Sequence, residues 1–282
     1  MGRCRTWVCW LVMIVVQVGI ARGEDLRVMS FNVRVGTADK GTPNAWENRK
    51  DLVVRTIAAF DPDLLGVQEA HRFQGDYLTD QLKQYRLIGV GSNQDGGGAL
   101  SAILYREKRF DLVRQGQFWL SLTPDMRGSM GWDARFPRVV TWVELRDKQT
   151  PGLSFVYMNT HWDHVGDQAR RHSAQLMRHK IKEIAGDRPV ILTGDFNTPP
   201  GSPAYERLVD KDLVDSYLAV HRKESGGTSH PFNGKAGPRR IDWILHTRGF
   251  KTIEADIVRT AYDGRYPSDH FPVTAVVRRT GP

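Results

Sequence analysis

Cysteine is nearly absent from this sequence: the 282 residues contain two, Cys4 and Cys9. Both lie in a leader of residues 1–23, which has a short basic start, an apolar stretch from Trp7 to Ala21 and small residues at its end. This order is typical of a cleaved secretory signal peptide. We therefore expect a mature chain that begins near Glu24, is exported to the periplasm or secreted, and folds around its core without a disulfide.

Long hydrophobic runs are also scarce. The apolar stretch of the leader is shorter than the roughly 20 residues that usually span a bilayer, so we expect no stable membrane insertion after signal cleavage. No long linker, internal repeat or low-complexity tract divides the remaining sequence. Residues 24–282 are therefore predicted to form one large domain, and we expect a monomer.

Charge of either sign is not strongly in excess. The net charge of +8 includes three leader arginines and no leader acid, which leaves +5 for residues 24–282. This small surplus favours an anionic substrate, but it is equally typical of an ordinary soluble surface. No basic cluster interleaved with aromatic residues singles out nucleic acid. Charge alone therefore identifies no substrate.

Short runs rich in β-forming residues outnumber the helical patterns. Apolar residues at helical spacing predict helices over Asn48 to Phe60 and over Asp167 to Ala185, and Gly186 suits the C-terminal cap of the second. Several predicted strands adjoin without a helix between them, which argues against a purely parallel sheet. The pattern predicts an α/β protein with mixed sheets covered by helices.

Polar residues recur where the apolar runs end. They are Asn32, Glu69, Asn159, His161, Asp195, Asn197, Asp242, Asp269 and His270. A buried carboxylate without a partner is strongly unfavourable, so several such acids in one domain are best explained if they converge on a cation in a shared pocket. Taken singly, each has a simpler explanation. Asn32 could cap a turn, Glu69 could pair with an arginine, Asp242 could pair with a neighbouring arginine, and each histidine could be a hydrogen-bonded core residue.

Six motifs in order carry a family resemblance: "SFNVR", "GVQEA", "NTHWDH", "TGDFN", "RIDWIL" and "SDHFPV". Together they resemble the endonuclease/exonuclease/phosphatase superfamily, from Leu26 to Val277. Three further stretches resemble an exported bacterial branch related to its deadenylase-like members. The resemblance implies an α/β four-layer sandwich, in which two mixed β-sheets pack face to face and are flanked by helices, and it implies that residues 24–282 are a catalytic domain.

The resemblance implies a divalent metal site. Glu69 is assigned to the metal, with Asn32 and Asp269 supporting it. These ligands are oxygens, and a hard cation that keeps several waters needs few carboxylates, so we expect Mg²⁺ or Mn²⁺. One or two ions are both compatible with the sequence.

The resemblance also implies the catalytic roles. Asp195 orients or deprotonates the attacking water, and Asn197 holds a phosphate oxygen. His270 contacts the phosphate and is oriented by Asp242, while His161 donates to the phosphate or protonates the leaving oxygen. This set matches what phosphoryl transfer requires, because the nucleophile, the phosphoryl oxygens and the leaving group each need a partner.

Candidate substrate contacts are Asn159, Arg138, Asp163, His164 and Trp162. Each has an alternative: a solvated strand arginine for Arg138, turn residues for Asp163 and His164, and a tryptophan at the edge of the core for Trp162. The sequence departs from deoxyribonuclease-like relatives at Ala99, near the position where an acid orients the histidine matching His161. Asp163 or a backbone carbonyl is the expected substitute.

The function predicted from the sequence is metal-dependent phosphoester hydrolysis by an activated water. The candidate substrates are nucleic acid, a phospholipid headgroup, and a sugar or nucleotide phosphate, with a slight preference for a diester. Two alternatives stay open. One is a non-catalytic binding module on the same fold. The other is a zinc hydrolase of metallo-β-lactamase type, since "NTHWDHVG" approaches a histidine-rich zinc signature but lacks its first histidine.

Overall fold

The computed structural model describes residues 25–221, 223 and 226–280. The predicted signal peptide and its cleavage point lie outside these residues. The described part of the chain contains no helix that is both long enough and apolar enough to cross a membrane.

The helices and strands alternate irregularly along the chain. In the first half they are β1 (Asp25–Asn32), α1 (Trp46–Phe60), β2 (Leu64–Ala70), α2 (Arg72–Gln81), β3 (Tyr85–Ile88), β4 (Leu100–Arg106), β5 (Phe110–Trp119) and β6 (Val139–Asp147). In the second half they are β7 (Ser154–His161), α3 (Asp167–Ala185), β8 (Val190–Asp195), α4 (Pro203–Val209), β9 (Leu213–Asp215), α5 (Ser216–Val220), β10 (Asp242–Thr247), β11 (Phe250–Ile257) and β12 (Val273–Arg279). The helix predicted from Asn48 begins two residues earlier, and α3 has the predicted bounds and the predicted Gly186 cap.

The strands form two six-stranded sheets. The first has the order β11-β12-β1-β2-β4-β3 and the second β5-β6-β7-β8-β10-β9. Each sheet has one parallel pair near its centre, β1 with β2 and β7 with β8, and its other pairs are antiparallel. Both sheets are therefore mixed, and the predicted fold class is confirmed.

Three apolar layers hold the sandwich together. One lies between the sheets and joins Leu26 and Val28 of β1 to Phe155 and Tyr157 of β7. A second packs α1 and α2 on the outer face of the first sheet, and a third packs α3 and α4 on the outer face of the second. Central strands such as β8 are buried on both faces, which is why they read as continuous apolar runs.

The inner faces of the sheets change character along the strands. Side chains alternate between faces, so Leu26 and Val28 at one end of β1 share the inner face with Ser30 and Asn32 at the other end. In β7 the same alternation carries Phe155 and Tyr157 into Asn159 and then His161. The space between the sheets is therefore apolar at one end and polar at the other.

Gly66 of β2 faces this polar zone at a point where the sheets approach closely. A Cβ at this position lies 2.2 Å from Thr193 Oγ1 and 2.5 Å from Asn159 Oδ1, both on the opposite sheet. Only a residue without a side chain fits there unless the sheets separate.

Gly66→Ala is expected to lower the free energy of unfolding by about 1–3 kcal/mol, because the added methyl forces the two sheets apart. Gly237→Ala is the matched control, since a Cβ at Gly237 has no heavy atom within 4 Å. Urea unfolding of both variants and the wild type measures the difference. Equal stability of the two variants would contradict the close contact.

Candidate active site

The polar residues of both sheets meet at one end of the sandwich. His161 of β7 is the register partner of Asp195 of β8, and Asp195 is the partner of Asp242 of β10, so three adjacent strands place these groups in a row. The first sheet contributes Asn32 at the end of β1 and Glu69 near the end of β2. The convergence predicted from the sequence is thus a consequence of strand register.

Most of the predicted residues line one cavity of about 530 Å³. They are Glu69, Arg138, His161, His164, Asp195, Asn197 and His270. Three more predicted residues contact this group from behind. Asn32 reaches Glu69 and Asp195, Asp242 reaches His270, and Asp269 forms an ion pair with Arg34, another residue that lines the cavity.

Asn32 connects the carboxylates of the two sheets. Its Nδ2 donates to Glu69 Oε1 at 3.1 Å and to Asp195 Oδ2 at 2.9 Å. Glu69 Oε2 also accepts the backbone N–H of Val35 at 3.0 Å. In this orientation Asn32 holds both carboxylates in place and its oxygen accepts the N–H of Arg34. Asn32 therefore supports Glu69, the predicted metal ligand, through this hydrogen bond.

Backbone strain is concentrated at the same place. Glu69, Asn197 and Arg34 all have left-handed backbone conformations, with φ of 64°, 51° and 57°. Such conformations are costly for residues other than glycine and persist where the surrounding structure fixes them. Here the hydrogen bonds to Asn32 and Asp195 fix them, and the strained residues present their side chains at the cavity.

The site contains closely spaced acids. Burial, together with the charge of Asp242, raises the pKa of Asp195 to about 7. Burial also raises the pKa of Asp269. One donor atom each from Glu69, His161 and Asp195 lies within 4.8 Å of the other two. A divalent cation relieves this repulsion, and the oxygen-rich donor set fits Mg²⁺ or Mn²⁺ better than a soft metal.

His270 is a buried cation at the edge of this acidic group. Its Nδ1 lies 2.9 Å from Asp242 Oδ2, and its Nε2 lies 3.9 Å from Asp195 Oδ2. Burial opposes the charged ring, but the carboxylates of Asp242 and Asp195 outweigh it and raise the pKa of His270 well above its ordinary value. His270 therefore presents a positively charged N–H to the cavity at neutral pH.

His161, in contrast to His270, has an uncharged ring at neutral pH. Burial, together with the positive charge of Arg138, lowers the pKa of His161 well below its ordinary value. Asn197 Nδ2 lies 2.9 Å from His161 Nε2, so the amide donates and Nε2 accepts. Among the described residues, His161 Nδ1 has no hydrogen-bond partner. Asn197 thus orients this ring, and the expected substitution by Asp163 or a backbone carbonyl is wrong.

Three predicted substrate contacts are corrected by the structure. Trp162 is fully buried, packs against Phe196 and Trp243, and donates its indole N–H to Met177 Sδ. It belongs to the core because the strand end turns its side chain away from the cavity. No part of the indole is accessible to a substrate.

Asn159 and Asp163 are also occupied by the protein itself. Asn159 is fully buried, and its amide bonds four groups: Val67 O, Ala102 O, Gln68 Nε2 and Thr193 Oγ1. Asp163 is 2% exposed and accepts backbone N–H groups from the loops on either side of it. Neither residue has hydrogen-bonding capacity left for a substrate.

Arg34 and Phe136 line the cavity but were not assigned from the sequence. Arg34 lies within the "SFNVR" motif, so a cation directly beside the metal-site asparagine was a signal that could have been used. Phe136 lies in an irregular loop between β5 and β6, where no periodicity shows which side chains face a cleft.

A sequence model of the Endonuclease/Exonuclease/phosphatase family matches residues 29–270. The chain belongs to this family. The predicted membership is confirmed, and it removes the metallo-β-lactamase alternative, which has a different fold. Relatives of this family that are named for an activity hydrolyse phosphoric esters, among them an exoribonuclease subunit of Emericella nidulans and a bacterial phosphatase.

Solved structures from Bacteroides thetaiotaomicron resemble the chain closely. One is a family member that is 36% identical, with a TM-score of 0.85 over 91% of this chain and 98% of the other. Another is a mannosyl-6-phosphatase, also 36% identical, with a TM-score of 0.84 over 89% of this chain and 99% of the other. The similarity in fold therefore extends over nearly the whole of both solved chains.

Curated relatives are more distant. Nocturnin of Drosophila melanogaster is 26% identical over 88% of this chain but 46% of its own length. A mimivirus protein is 29% identical over 54% of this chain and 59% of its own length. The chain thus spans about half the length of these two relatives. The predicted relation to the deadenylase-like members is confirmed at the level of the family domain.

Mg²⁺ or Mn²⁺ at a hundredfold excess over the dissociation constant is expected to stabilise the wild type by about 2.7 kcal/mol, seen as a higher midpoint of thermal unfolding. Glu69→Gln removes one charge from the acidic group and is expected to abolish most of this shift. Glu206→Gln, an exposed acid on α4, is the matched control. An undiminished shift in the Glu69 variant would contradict its assignment to the metal.

Asp242→Asn is expected to lower the pKa of His270 by about one to three units, because a negative charge at hydrogen-bond distance is lost. The wild-type ring then keeps its proton through neutral pH, whereas the variant ring loses it at a lower pH. NMR titration of the imidazole Cε1–H in the metal-free protein measures both values. Asp212→Asn, which alters a surface ion pair with Arg178, serves as the control. An unchanged His270 titration would show that Asp242 does not hold the charge.

Proposed function

We propose that this chain is a divalent-metal-dependent phosphomonoesterase that hydrolyses a sugar phosphate to the free sugar and inorganic phosphate. The observation that carries the proposal is a cavity of small-molecule size with Asp195, Asn197 and His270 in its lining. The 36% identity to a mannosyl-6-phosphatase over nearly the whole of that protein supports a sugar phosphate in particular.

Each residue of the site has a separate role in the proposed reaction. Asp195 receives the proton of the attacking water, and a pKa near neutrality suits a general base. His270 donates its charged N–H to a phosphoryl oxygen, and Asn197 lines the same end of the cavity. When bound beside Glu69, the metal supplies charge neutralisation for the phosphoryl group. The water oxygen bonds to phosphorus as its proton passes to Asp195, and the bond from phosphorus to the sugar oxygen breaks. The sugar oxygen takes up a proton from solvent, and the free sugar and inorganic phosphate leave.

Two guanidinium groups favour a monoester dianion over a diester monoanion. Arg34 and Arg138 both line the cavity. A terminal phosphate has one more unbridged oxygen and more negative charge than a diester, so it gains more from the N–H donors of these two guanidinium groups. The diester favoured slightly by the sequence is the second outcome of the test.

We further propose that the enzyme acts outside the cytoplasm as a monomer. Support for export comes from the basic and apolar pattern of residues 1–23, which is typical of a signal peptide.

The test is ³¹P NMR of the purified protein with Mg²⁺ or Mn²⁺ and either mannose 6-phosphate or an oligoribonucleotide. We expect inorganic phosphate from the sugar phosphate, and we expect Asp195→Asn to slow its release by about 10²–10⁴-fold through loss of the base. Asp212→Asn is the control and keeps full activity.

Other outcomes discriminate between the alternatives. Cleavage of the oligonucleotide without phosphate release from the sugar would make the protein a nuclease-type diesterase. Full activity in Asp195→Asn would contradict the mechanism. No turnover of either compound, with sugar phosphate still bound, would favour the non-catalytic binding module.

A further inference from the structure

Phe136 and His164 form a wall of the active-site cavity that the hydrolytic reaction does not use. Their rings stack with centroids 5.8 Å apart and planes at 22°. Both residues line the cavity together with Asp195 and His270. Phe136 is 51% exposed, so about half of its side chain is accessible to a ligand in the cavity.

The protonation pattern of His164 is fixed by its neighbour. Arg138 Nη2 lies 3.0 Å from His164 Nδ1. A guanidinium has donors and no acceptor, so Nδ1 accepts and the proton of the neutral ring lies on Nε2. Within the described residues His164 Nε2 has no hydrogen-bond partner, so this N–H is available as a donor on the cavity wall.

A buried carboxylate holds this wall rigid. Asp163 Oδ2 accepts the backbone N–H groups of Arg135 at 2.9 Å and Phe136 at 3.3 Å, and Oδ1 accepts those of Val165 at 2.9 Å and Gly166 at 2.8 Å. Burial disfavours its charge, but these N–H groups help to keep the pKa of Asp163 below its ordinary value. The two loops that carry Phe136 and His164 are therefore fixed before any ligand binds.

Other residues that line the cavity are compatible with a sugar ring. Asn93, Gly98 and Ala99 also line the cavity, giving one amide side chain and two small residues. Arg135 lies 6.0 Å from the centroid of Phe136, at the outer limit of a cation–π contact, and half of the Phe136 side chain stays exposed. An aromatic surface beside fixed hydrogen-bond groups offers both contacts that a pyranose needs, because its C–H bonds pack on a ring and its hydroxyls accept and donate hydrogen bonds.

We propose that Phe136 and His164 are the specificity-determining residues of a sugar subsite, which binds the pyranose ring of a hexose phosphate. The Phe136 ring packs against the C–H bonds of the sugar, and His164 Nε2–H donates to a sugar hydroxyl. This inference rests on the proposed phosphomonoesterase function and names the part of the substrate that these residues select.

Kinetics on two substrates test the subsite. Phe136→Ala and His164→Ala are each expected to lower kcat/KM for mannose 6-phosphate about tenfold, mainly through KM, because they remove binding and not chemistry. For methyl phosphate, which has no sugar, kcat/KM is expected to stay within about twofold of the wild type. His164→Gln retains a side-chain N–H donor and is expected to recover part of the loss.

Matched controls lie outside the cavity lining. Phe73→Ala removes an aromatic ring that is 46% exposed, and His179→Ala removes an exposed histidine on α3. Neither control is expected to alter the ratio of kcat/KM for mannose 6-phosphate to kcat/KM for methyl phosphate. An equal loss on both substrates in the Phe136 and His164 variants, or no loss on either, would overturn the sugar subsite.

A binding measurement separates this inference from the proposed function. Isothermal titration calorimetry of mannose 6-phosphate with the Mg²⁺-loaded Asp195→Asn protein, which hydrolyses the ligand too slowly to disturb the titration, is expected to show binding that weakens about tenfold when Phe136→Ala or His164→Ala is added. Binding of this kind without phosphate release by the wild type would overturn the phosphomonoesterase proposal and leave the subsite supported. Phosphate release by the wild type, with equal affinity in the Asp195→Asn protein with and without the Phe136 and His164 substitutions, would overturn the subsite alone. Absence of binding to the Asp195→Asn protein with Phe136 and His164 intact would overturn it as well.

Discussion

The side-chain amide of Asn159 joins the two sheets directly beneath the catalytic group, and the positions of the reacting residues depend on it. Its nitrogen donates to backbone carbonyls of β2 and β4, and its oxygen accepts from Gln68 and from Thr193. An amide has this capacity in both directions, which a carboxylate or an ammonium lacks. Because the hydrogen bonds cross from one sheet to the other, they set the spacing at which Glu69 of β2 and Asp195 of β8 share Asn32.

Charge in the site is balanced locally. His270 and Asp242 form a buried pair of opposite sign, whereas Glu69 and Asp195 are held together by an uncharged amide. A buried ion pair loses much of its hydration, and its mutual attraction offsets that cost only with good hydrogen-bond geometry. The histidine pair satisfies this condition within the protein. The charges of Glu69 and Asp195 are balanced once a cation is bound between them. The same group of residues therefore supports the site through hydrogen bonds and offers ligands to a metal.

The family and the fold could be predicted from the sequence because their signals are local and ordered. Six strand-end motifs gave the family and the sandwich, and the bounds of α3 followed from its periodicity and its glycine cap. Residue roles that depend on tertiary contacts could not be predicted in this way. In "NTHWDH", Asn159 lies two residues before His161 and Trp162 lies directly after it. Asn159 nevertheless bridges the two sheets, and Trp162 is buried in the core. Phe136 was missed because its loop has no repeating pattern, and its place in the cavity depends on Asp163, far along the chain.

Besides its ion pair with Arg138, Asp163 accepts four hydrogen bonds, and all four come from backbone N–H groups. Every residue except proline carries such an N–H, so the course of these loops is insensitive to the side chains they bear. Side chains at the cavity wall are then open to replacement while the frame that presents them keeps its shape. Substitutions at a few wall positions of this chain can therefore change which leaving group fits the cavity while the strand-end residues stay in place.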